Sequence, residues 1–525
     1  MRNIKKLFIL FIASGFILGC KRDLLETIPN DRISSEIFWK TDNDAVLAAN
    51  AVYSFLAESA DHFIGWDGMS DIVFTNPTGP QEASISQGQF NALNSRITND
   101  WSRGYAGIRA ANTFLANVDR IQTNNPALIN RLKGEVRTLR AYFYMQLAFL
   151  FGDVPLVTTE ITVQESGQLT RTDVAQVWDF ISDELTETAT LLPLTQTEKG
   201  RITKGAAIAI KARAMLYAGR FQEAANAAKE VIDLNKYSLY SSYKNLFTYA
   251  AENNPEVILD IQYVADTYSN NIFQVLAPRS VNANSKWVPT KRIVDMYQMN
   301  NGLDINDPAS GYDPMNPYDN RDPRLKYSIF VPGEVLPNNA IFNPLPNSTT
   351  GDAVGSSFVV SPTGFNVRKY VNKEDLARQN NNGINFILIR YAEILLTYAE
   401  AKIELNQLDA SVYDAINKVR QRADVNMPPV TPGKTQDELR AIVRNERSVE
   451  FAFESHRFFD IRRWRIAELV MPGKVYGLTY VDPNGVLQTV EVPGWTQIWS
   501  DKNYLWPIPQ KEIELNANLT QNPGW

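Results

Sequence analysis

The stretch GAAIAIKARAMLYAGRFQEAANAAKEVIDLN, residues 205–235, decides the fold class. Its first half, residues 206–218, is rich in alanine, which favours a helix that a neighbouring helix can approach closely. Gly219 then turns the chain, because glycine readily ends a helix. Over residues 221–232, apolar residues recur at helical spacing and predict one face of a second helix. The stretch therefore predicts a helical hairpin.

A second hairpin of the same kind is predicted further along the chain. Its first helix carries an apolar stripe, and a turn at Asn406 and Gln407 leads to a partner helix over residues 411–423. Both hairpins resemble tetratricopeptide units, which are helical pairs of about 34 residues. The residues of the stripe are Tyr391, Ile394, Leu395, Tyr398 and Ala399.

Three further segments have helical periodicity, over residues 135–151, 173–191 and 436–465. The first of these is ended by Gly152, which favours a helix C-cap, and by Pro155, which cannot continue a helix. No fixed repeat length extends along the whole chain. We therefore expect a mostly α-helical protein, in which tetratricopeptide-like hairpins form a scaffold without building a regular solenoid.

Long irregular tracts separate the predicted helices, and loops of this length are uncommon in compact domains unless they serve a function. The 36 residues 331–366 contain only two charged side chains, Glu334 and Asp352. Short apolar runs at residues 257–263 and 358–360 predict small strands or minor β hairpins. The long tracts are residues 56–102, 263–289 and 300–382.

The composition argues against several classes of function. A net charge of −6 leaves no basic surplus for binding phosphates, which argues against nucleic-acid binding. One cysteine and two histidines exclude a disulfide framework and argue against a zinc site built from these residues. Asp304, Asp307 and Asp313 share one loop, but their spacing matches no calcium-loop template. We expect no metal and no cofactor.

The N-terminus predicts export and a lipid anchor. Cationic residues precede residues 7–19, which are 13 positions without charge, and this pattern is typical of a signal peptide. A membrane span would need about 20 apolar residues. The run ILGC, residues 17–20, is similar to a bacterial lipobox. We expect residues 1–19 to be removed and Cys20 to be lipidated; the alternative is an ordinary secretory signal with a chance cysteine.

Several motifs, in their expected order, resemble the SusD/RagB family of Bacteroidetes outer-membrane lipoproteins. The resemblance spans nearly the whole mature chain and divides it into an N-terminal region, residues 20–262, and a C-terminal region with ligand loops, residues 263–525. Ser455 is a local departure, because a glycine is more usual before His456 and Arg457. The motifs are residues 20–26, 139–143, 151–157, 200–207, 390–401, 416–423, 445–454, 456–464, 505–509 and 520–525.

The resemblance implies a fold, a location and a function. Members have four tetratricopeptide-like hairpins and loops that build a ligand surface. They are anchored on the outer face of the outer membrane and serve as a lid over a SusC-like TonB-dependent transporter. They capture oligosaccharides, or peptides in some members, and they are not enzymes.

Sugar rings stack their C–H faces on flat aromatic side chains, and polar side chains meet their hydroxyl groups. A ligand surface of this kind needs exposed aromatic residues on loops. Trp66 lies in a glycine-flanked segment, Trp287 follows a polar loop, and two tyrosines lie in a loop rich in Pro, Asn and Asp. For each aromatic, the alternative is that it anchors its own loop against the core. The candidate ligand residues are Trp66, Asp67, Phe74, Asn76, Trp287, Tyr312 and Tyr318.

Charged residues recur along the predicted helix over residues 436–465. Glu446, Glu450 and Glu454 are spaced by four, and arginines interleave with them, so we expect paired, partly buried charges.

Two functional alternatives remain beside glycan capture. One is a peptide-capturing or structural lipoprotein. The other is an all-helical glycoside hydrolase, which needs two convergent carboxylates in a cleft.

Overall fold

The computed structural model describes residues 38–56, 59–76 and 81–525. This part of the chain is mostly helical, with short antiparallel strand pairs, which confirms the predicted fold class. The predicted signal peptide, residues 1–19, and Cys20 lie outside the described residues. No helix in the described ranges combines the length and the apolar character that a membrane crossing requires.

The helices are α1 (Asp42–Tyr53), α2 (Ala60–Gly68), α3 (Gln81–Ser86), α4 (Ser95–Asn117), α5 (Pro126–Phe151), α6 (Val163–Ser166), α7 (Val174–Leu191), α8 (Lys204–Tyr217), α9 (Phe221–Asp233), α10 (Ile272–Leu276), α11 (Lys291–Met296), α12 (Arg324–Ser328), α13 (Tyr391–Glu404), α14 (Ala410–Arg420), α15 (Gln436–Glu450), α16 (Arg457–Arg463), α17 (Ala467–Val470) and α18 (Gln510–Leu515). The strands are β1 (Val73–Thr75), β2 (Val257–Ile261), β3 (Trp287–Pro289), β4 (Ile329–Phe330), β5 (Asn366–Val367), β6 (Phe386–Arg390), β7 (Gly473–Val481) and β8 (Leu487–Gln497).

Both predicted hairpins are confirmed. Helices α8 and α9 pack together and are joined at Gly219, whose φ of 72° lies in the left-handed region that favours glycine. Helices α13 and α14 form the second pair, with Asn406 at φ 56° in the connection. Helix α9 also packs on α13, so one scaffold joins the two halves of the chain. The boundary at residue 262 stays a prediction.

The prediction of one continuous helix over residues 436–465 is wrong. Helix α15 ends at Glu450 and α16 begins at Arg457. Between them, Phe453 and Ser455 have φ values of 67° and 69°, which a right-handed helix cannot contain. The left-handed backbone of Ser455 also gives a physical reason for the glycine that is more usual at this position.

Among the described residues, the strands form four two-stranded antiparallel sheets: β1 with β3, β2 with β6, β4 with β5, and β7 with β8. The predicted strand at residues 257–263 is confirmed as β2. The strand predicted at residues 358–360 is wrong, because this segment is a turn. The carbonyl of Val360 accepts a hydrogen bond from the side chain of Asn76, not from a neighbouring strand.

The charged residues around α15 are paired and buried, as predicted. Arg324 donates from Nη1 to Glu446 Oε1 at 2.6 Å and to Glu450 Oε2 at 2.8 Å. Arg390 donates from Nη1 to Glu450 Oε1 at 2.7 Å and from Nε to Glu454 Oε2 at 2.7 Å. Because each charge has several partners, the network satisfies groups that would otherwise be costly to bury.

Candidate functional site

Five of the seven predicted ligand residues come together where α2, β1 and β3 meet. Trp66 and Asp67 lie on α2, Phe74 lies on β1, Asn76 follows β1, and Trp287 begins β3. Strands β1 and β3 pair with each other in an antiparallel arrangement. These contacts join residues from opposite halves of the chain at one position, but the side chains there are buried.

Trp66 is a core residue. It lies within α2, not in an exposed turn, and its side chain is only 3% exposed. Its ring stacks on Trp506 with 5.8 Å between centroids, and the Arg96 guanidinium lies 4.3 Å from the ring centroid. The expectation of an exposed Trp66 is therefore wrong, because aromatic partners from distant parts of the chain cover both faces.

Asp67 serves as an internal cap, not as an exposed acceptor. Its carboxylate accepts the backbone N–H groups of Ser455 and Arg457, each at 3.0 Å. Burial raises the pKa of Asp67 to about 7, and these two hydrogen bonds oppose the rise. Asp67 thus holds the break between α15 and α16 against α2.

Trp287 and Phe74 are also buried. The Trp287 indole donates from Nε1 to Asp61 Oδ1 at 2.8 Å. A Cβ atom on Gly68 would lie 2.2 Å from the Trp287 ring, so glycine is required for this close approach. Phe74 packs edge-on against Trp495 at 4.7 Å. The exposure predicted for both rings is wrong, because the β1–β3 pair is covered on both sides.

Asn76 is buried and connects two loops. Its side-chain Nδ2 donates to the carbonyl oxygens of Ser285 at 3.3 Å and Val360 at 3.1 Å. Its backbone N–H donates to the carbonyl of Lys286 at 2.8 Å. Because both amide hydrogens are used inside the protein, Asn76 positions the loops and is not free to meet a ligand.

Tyr312 and Tyr318 lie on a different loop and are half-buried. The Arg321 guanidinium lies 5.5 Å from the Tyr312 ring centroid. Tyr318 packs edge-on against Phe365 at 6.0 Å. They retain partial access to solvent, and their role in ligand binding stays a prediction.

An exposed surface lies on the loops that Asn76 joins. It is formed by side chains that reach solvent on loop 278–286 and loop 343–366, and we call it the platform. Phe358 is its aromatic residue and is 75% exposed. The platform residues are Arg279, Asn282, Asn284, Ser357 and Phe358.

Buried polar contacts fix the two platform loops to each other. Asp352 accepts the backbone N–H of Ser280 at 2.8 Å. Asn366 donates from Nδ2 to Ser285 Oγ at 3.0 Å. With the contacts of Asn76, these bonds connect the loops at three points. The platform can therefore present its exposed side chains in a defined arrangement, which lowers the entropic cost of binding.

The sequence pattern does not identify Phe358 as a ligand residue, because residues 358–360 predict a strand. The surrounding sequence nevertheless indicates that Phe358 is exposed. Phe358 follows Gly355, Ser356 and Ser357 within the tract of residues 331–366 that is nearly free of charge. A large apolar residue after small polar ones in such a tract has few neighbours that could bury it.

The chemistry of the platform is stacking and hydrogen bonding. It combines one flat ring, two amides, one hydroxyl and one guanidinium, and these groups can meet a ring and its hydroxyls without a metal. Within the described ranges, no group of three or more His, Cys, Asp or Glu residues could hold a metal ion.

Glu450, a buried carboxylate of α15, is not suited to act as a general acid. Burial alone would raise the pKa of Glu450, but Arg390, Arg422 and Arg324 outweigh it and hold this pKa far below its usual range. A carboxylate fixed in its charged form by three arginines cannot donate a proton near neutral pH.

A helical-repeat scaffold that carries a loop-built platform defines the class of protein. A family model described as the SusD family matches residues 255–525, and a model described as "Starch-binding associating with outer membrane" matches residues 69–216. The chain belongs to the SusD family.

Relatives of known sequence and structure support this assignment over the full length. SusD-like protein P2 of Formosa agariphila is 26% identical over 556 residues, which cover 100% of both chains. The crystal structure of a SusD-like carbohydrate binding protein from Bacteroides fragilis is 31% identical, with a TM-score of 0.84 over 92% of this chain and 100% of that one. A second SusD-like protein from Bacteroides fragilis is 27% identical, with a TM-score of 0.82 over 95% and 100%.

Proposed function

We propose that this protein captures oligosaccharides at the cell surface on its platform and delivers them, as a lid, to a SusC-like TonB-dependent transporter, without cleaving them. Membership of the SusD family supports the proposal. The name of the Bacteroides fragilis relative, a carbohydrate binding protein, supports binding, and the description of the second family model supports association with the outer membrane.

The exposure of Phe358 among neutral polar side chains carries the proposal. An exposed aromatic ring costs free energy in water unless a ligand covers it, and the apolar face of a sugar ring is a suitable cover. Asn282 and Asn284 offer both donors and acceptors, as sugar hydroxyls require. Loop 343–366 adds little charge, which suits a neutral ligand.

Anchoring completes the proposal. Lipidation of Cys20 would tether the protein stably to the outer membrane, because several acyl chains together give stable attachment. In this proposal the protein faces the cell exterior. A Cys20→Ala variant should leave the membrane fraction on cell fractionation while its ligand binding is unchanged. Retention of this variant in the membrane fraction would contradict the lipid anchor.

The decisive experiment measures retardation of the purified protein in native gels that contain single polysaccharides from a panel including starch and laminarin. Phe358→Ala should weaken the retardation about tenfold, the size expected for loss of an interfacial aromatic. Leu93→Ala is the matched control, because Leu93 is also 75% exposed but lies outside the platform. Equal retardation of wild type and Phe358→Ala would reject the platform as the binding site.

The same samples separate the alternatives. If no polysaccharide retards the protein but it binds peptides on a peptide array, it is a peptide-capturing lipoprotein. Release of reducing ends from a bound polysaccharide would identify a glycoside hydrolase. Delivery is tested by affinity purification of the tagged chain from membranes, in which a SusC-like transporter should co-purify. Its absence would leave binding intact and reject the lid.

A further inference from the structure

Arg462, on α16, is a buried cation without a carboxylate partner among the described residues. Its side chain is 4% exposed. Its neighbours along the chain are paired, because Asp460 and Arg463 bind each other at 2.7 Å. Arg462 itself donates only from Nη1, to the carbonyl of Phe458 at 3.3 Å. Its Nε and Nη2 are buried and have no acceptor in the described ranges.

This arrangement is costly. A guanidinium stays charged in proteins, and a buried charge without a partner is strongly destabilising. Burial lowers the pKa of Arg462 well below its usual value, and no described carboxylate lies near enough to raise it. The rings of Phe458 and Trp499, with centroids 3.5 Å and 5.2 Å from the guanidinium carbon, offset part of the cost.

The segment that carries Trp499, residues 499–504, also has buried donors without acceptors among the residues that the structure describes. Trp499 Nε1, Asn503 Nδ2 and Tyr504 Oη are buried without a partner in the described part of the chain. The Trp499 ring lies 5.1 Å from the Tyr504 ring and 5.2 Å from the Arg462 guanidinium carbon, so the indole contacts both residues. A second cation, Arg465, lies 3.6 Å from the Tyr504 ring centroid. The chemical complement of several donors and two cations is an anion with more than one oxygen.

We propose that the Nε–Nη2 edge of Arg462 binds a small oxyanion, a carboxylate, sulfate or phosphate, between α16 and the turn Asp501–Tyr504. This edge is the side of a guanidinium that holds two oxygens at once. Nε and Nη2 are buried, and Trp499 is a half-buried ring that lies against the guanidinium, so we expect Trp499 to move aside when the anion binds. Once bound, it accepts from Arg462 and from the donors of the turn, and so fixes the turn to α16.

Equilibrium dialysis of the full mature chain against labelled sulfate, phosphate or acetate tests the site directly. Wild type should take up one equivalent of at least one of these anions in a saturable way. Arg462→Met should take up none, and Arg462→Lys should bind at least tenfold more weakly, because an ammonium lacks the two-pronged edge. Arg120→Met, at an exposed arginine, is the control and should bind as wild type does.

A thermal melt gives an independent readout. Sulfate stabilises proteins in general, so only the difference from Arg462→Met is informative. Saturating anion should raise the Tm of wild type by about 2 °C more than that of the variant. If Arg462→Met does not fold, Arg462→Lys takes its place. Wild type that binds none of the three anions, or a variant that binds like wild type, would overturn the site. Neither result bears on glycan binding.

Discussion

The interior around α15 and the platform differ in their content of charged side chains. In the interior, Glu446 and Glu450 are fully buried and ion-paired. On the platform, the only charged side chain is Arg279, and the other members are amides, a hydroxyl and an aromatic ring. The difference indicates that charge is used here to hold the structure together, and it agrees with the proposal that neutral groups on the platform meet the ligand.

The positions of the buried cations explain why the interior needs charge. Arg324 begins α12, Lys369 follows β5, and Arg390 ends β6. Each reaches a carboxylate of Glu450 or Glu454. The elements they come from are short, so they have few backbone hydrogen bonds of their own. Charged side chains anchor them to the scaffold with strong, directional hydrogen bonds.

The largest effect that the comparison predicts is for Glu450→Ala. This change removes a buried carboxylate that pairs with Arg324, Arg390 and Arg422 together. Breaking such a network costs about 3–5 kcal/mol in free energy of unfolding, measured by urea titration. Asp437→Ala, on the same helix but with a side chain 91% exposed, should cost less than about 0.5 kcal/mol. Similar losses in the two variants would remove the distinction between interior and surface charge.

Acid should weaken the interior through His456. Burial lowers its pKa to about 4, although nearby Glu393 opposes the shift. In the unfolded chain a histidine takes up its proton near pH 6.5. The unfolded state therefore binds more protons between pH 6.5 and 4, and the stability that neutral His456 supplies above pH 6.5 is lost as the pH falls through this window.

The His456→Gln variant isolates that effect, since carboxylates elsewhere titrate equally in both proteins. Its free energy of unfolding should fall less than that of wild type between pH 6.5 and 4, by about 3 kcal/mol, because one pKa unit corresponds to about 1.4 kcal/mol. Urea titrations at several pH values measure the difference. Parallel pH profiles would show that His456 does not couple the interior to acid.

Asn76→Ala should affect the connection between the two platform loops. The change leaves the carbonyls of Ser285 and Val360 without their buried donor, which costs about 1–2 kcal/mol in free energy of unfolding. Because the platform loops lose a connection, glycan affinity should also fall, although Asn76 is buried. Asn338→Ala, at an exposed amide that bonds the carbonyl of Ser280 at 3.3 Å, is the milder control. Unchanged glycan affinity in Asn76→Ala would mean that the arrangement of the platform does not depend on the hydrogen bonds of Asn76.

The smallest effect on stability is expected for Phe358→Ala. An exposed ring contributes little to folding, so the free energy of unfolding should stay within about 0.5 kcal/mol of wild type. Thermal and urea unfolding measure this directly. A loss above 2 kcal/mol would place Phe358 in the core and would make its effect on binding uninterpretable.

The sequence alone determined the scaffold. The hairpins at α8–α9 and α13–α14 and the end of α5 at Gly152 follow from periodicity and from residues that lie close in the chain. The spacing of Glu446, Glu450 and Glu454 predicts that they are paired, but their partners Arg324 and Arg390 come from distant segments. Helix formation depends mainly on such local spacing, and this is why these predictions are confirmed.

Only the tertiary structure decided which aromatic rings face solvent. Trp66 is covered by Trp506, and Trp287 is held by Asp61, and neither partner is local in sequence. Phe358 is exposed, and the loop that carries it is bonded at Val360 to Asn76, which is also distant in sequence. Burial is a property of the assembled fold. The local sequence around a tryptophan in a glycine-rich segment therefore does not distinguish a residue that anchors a loop from one that contacts a ligand.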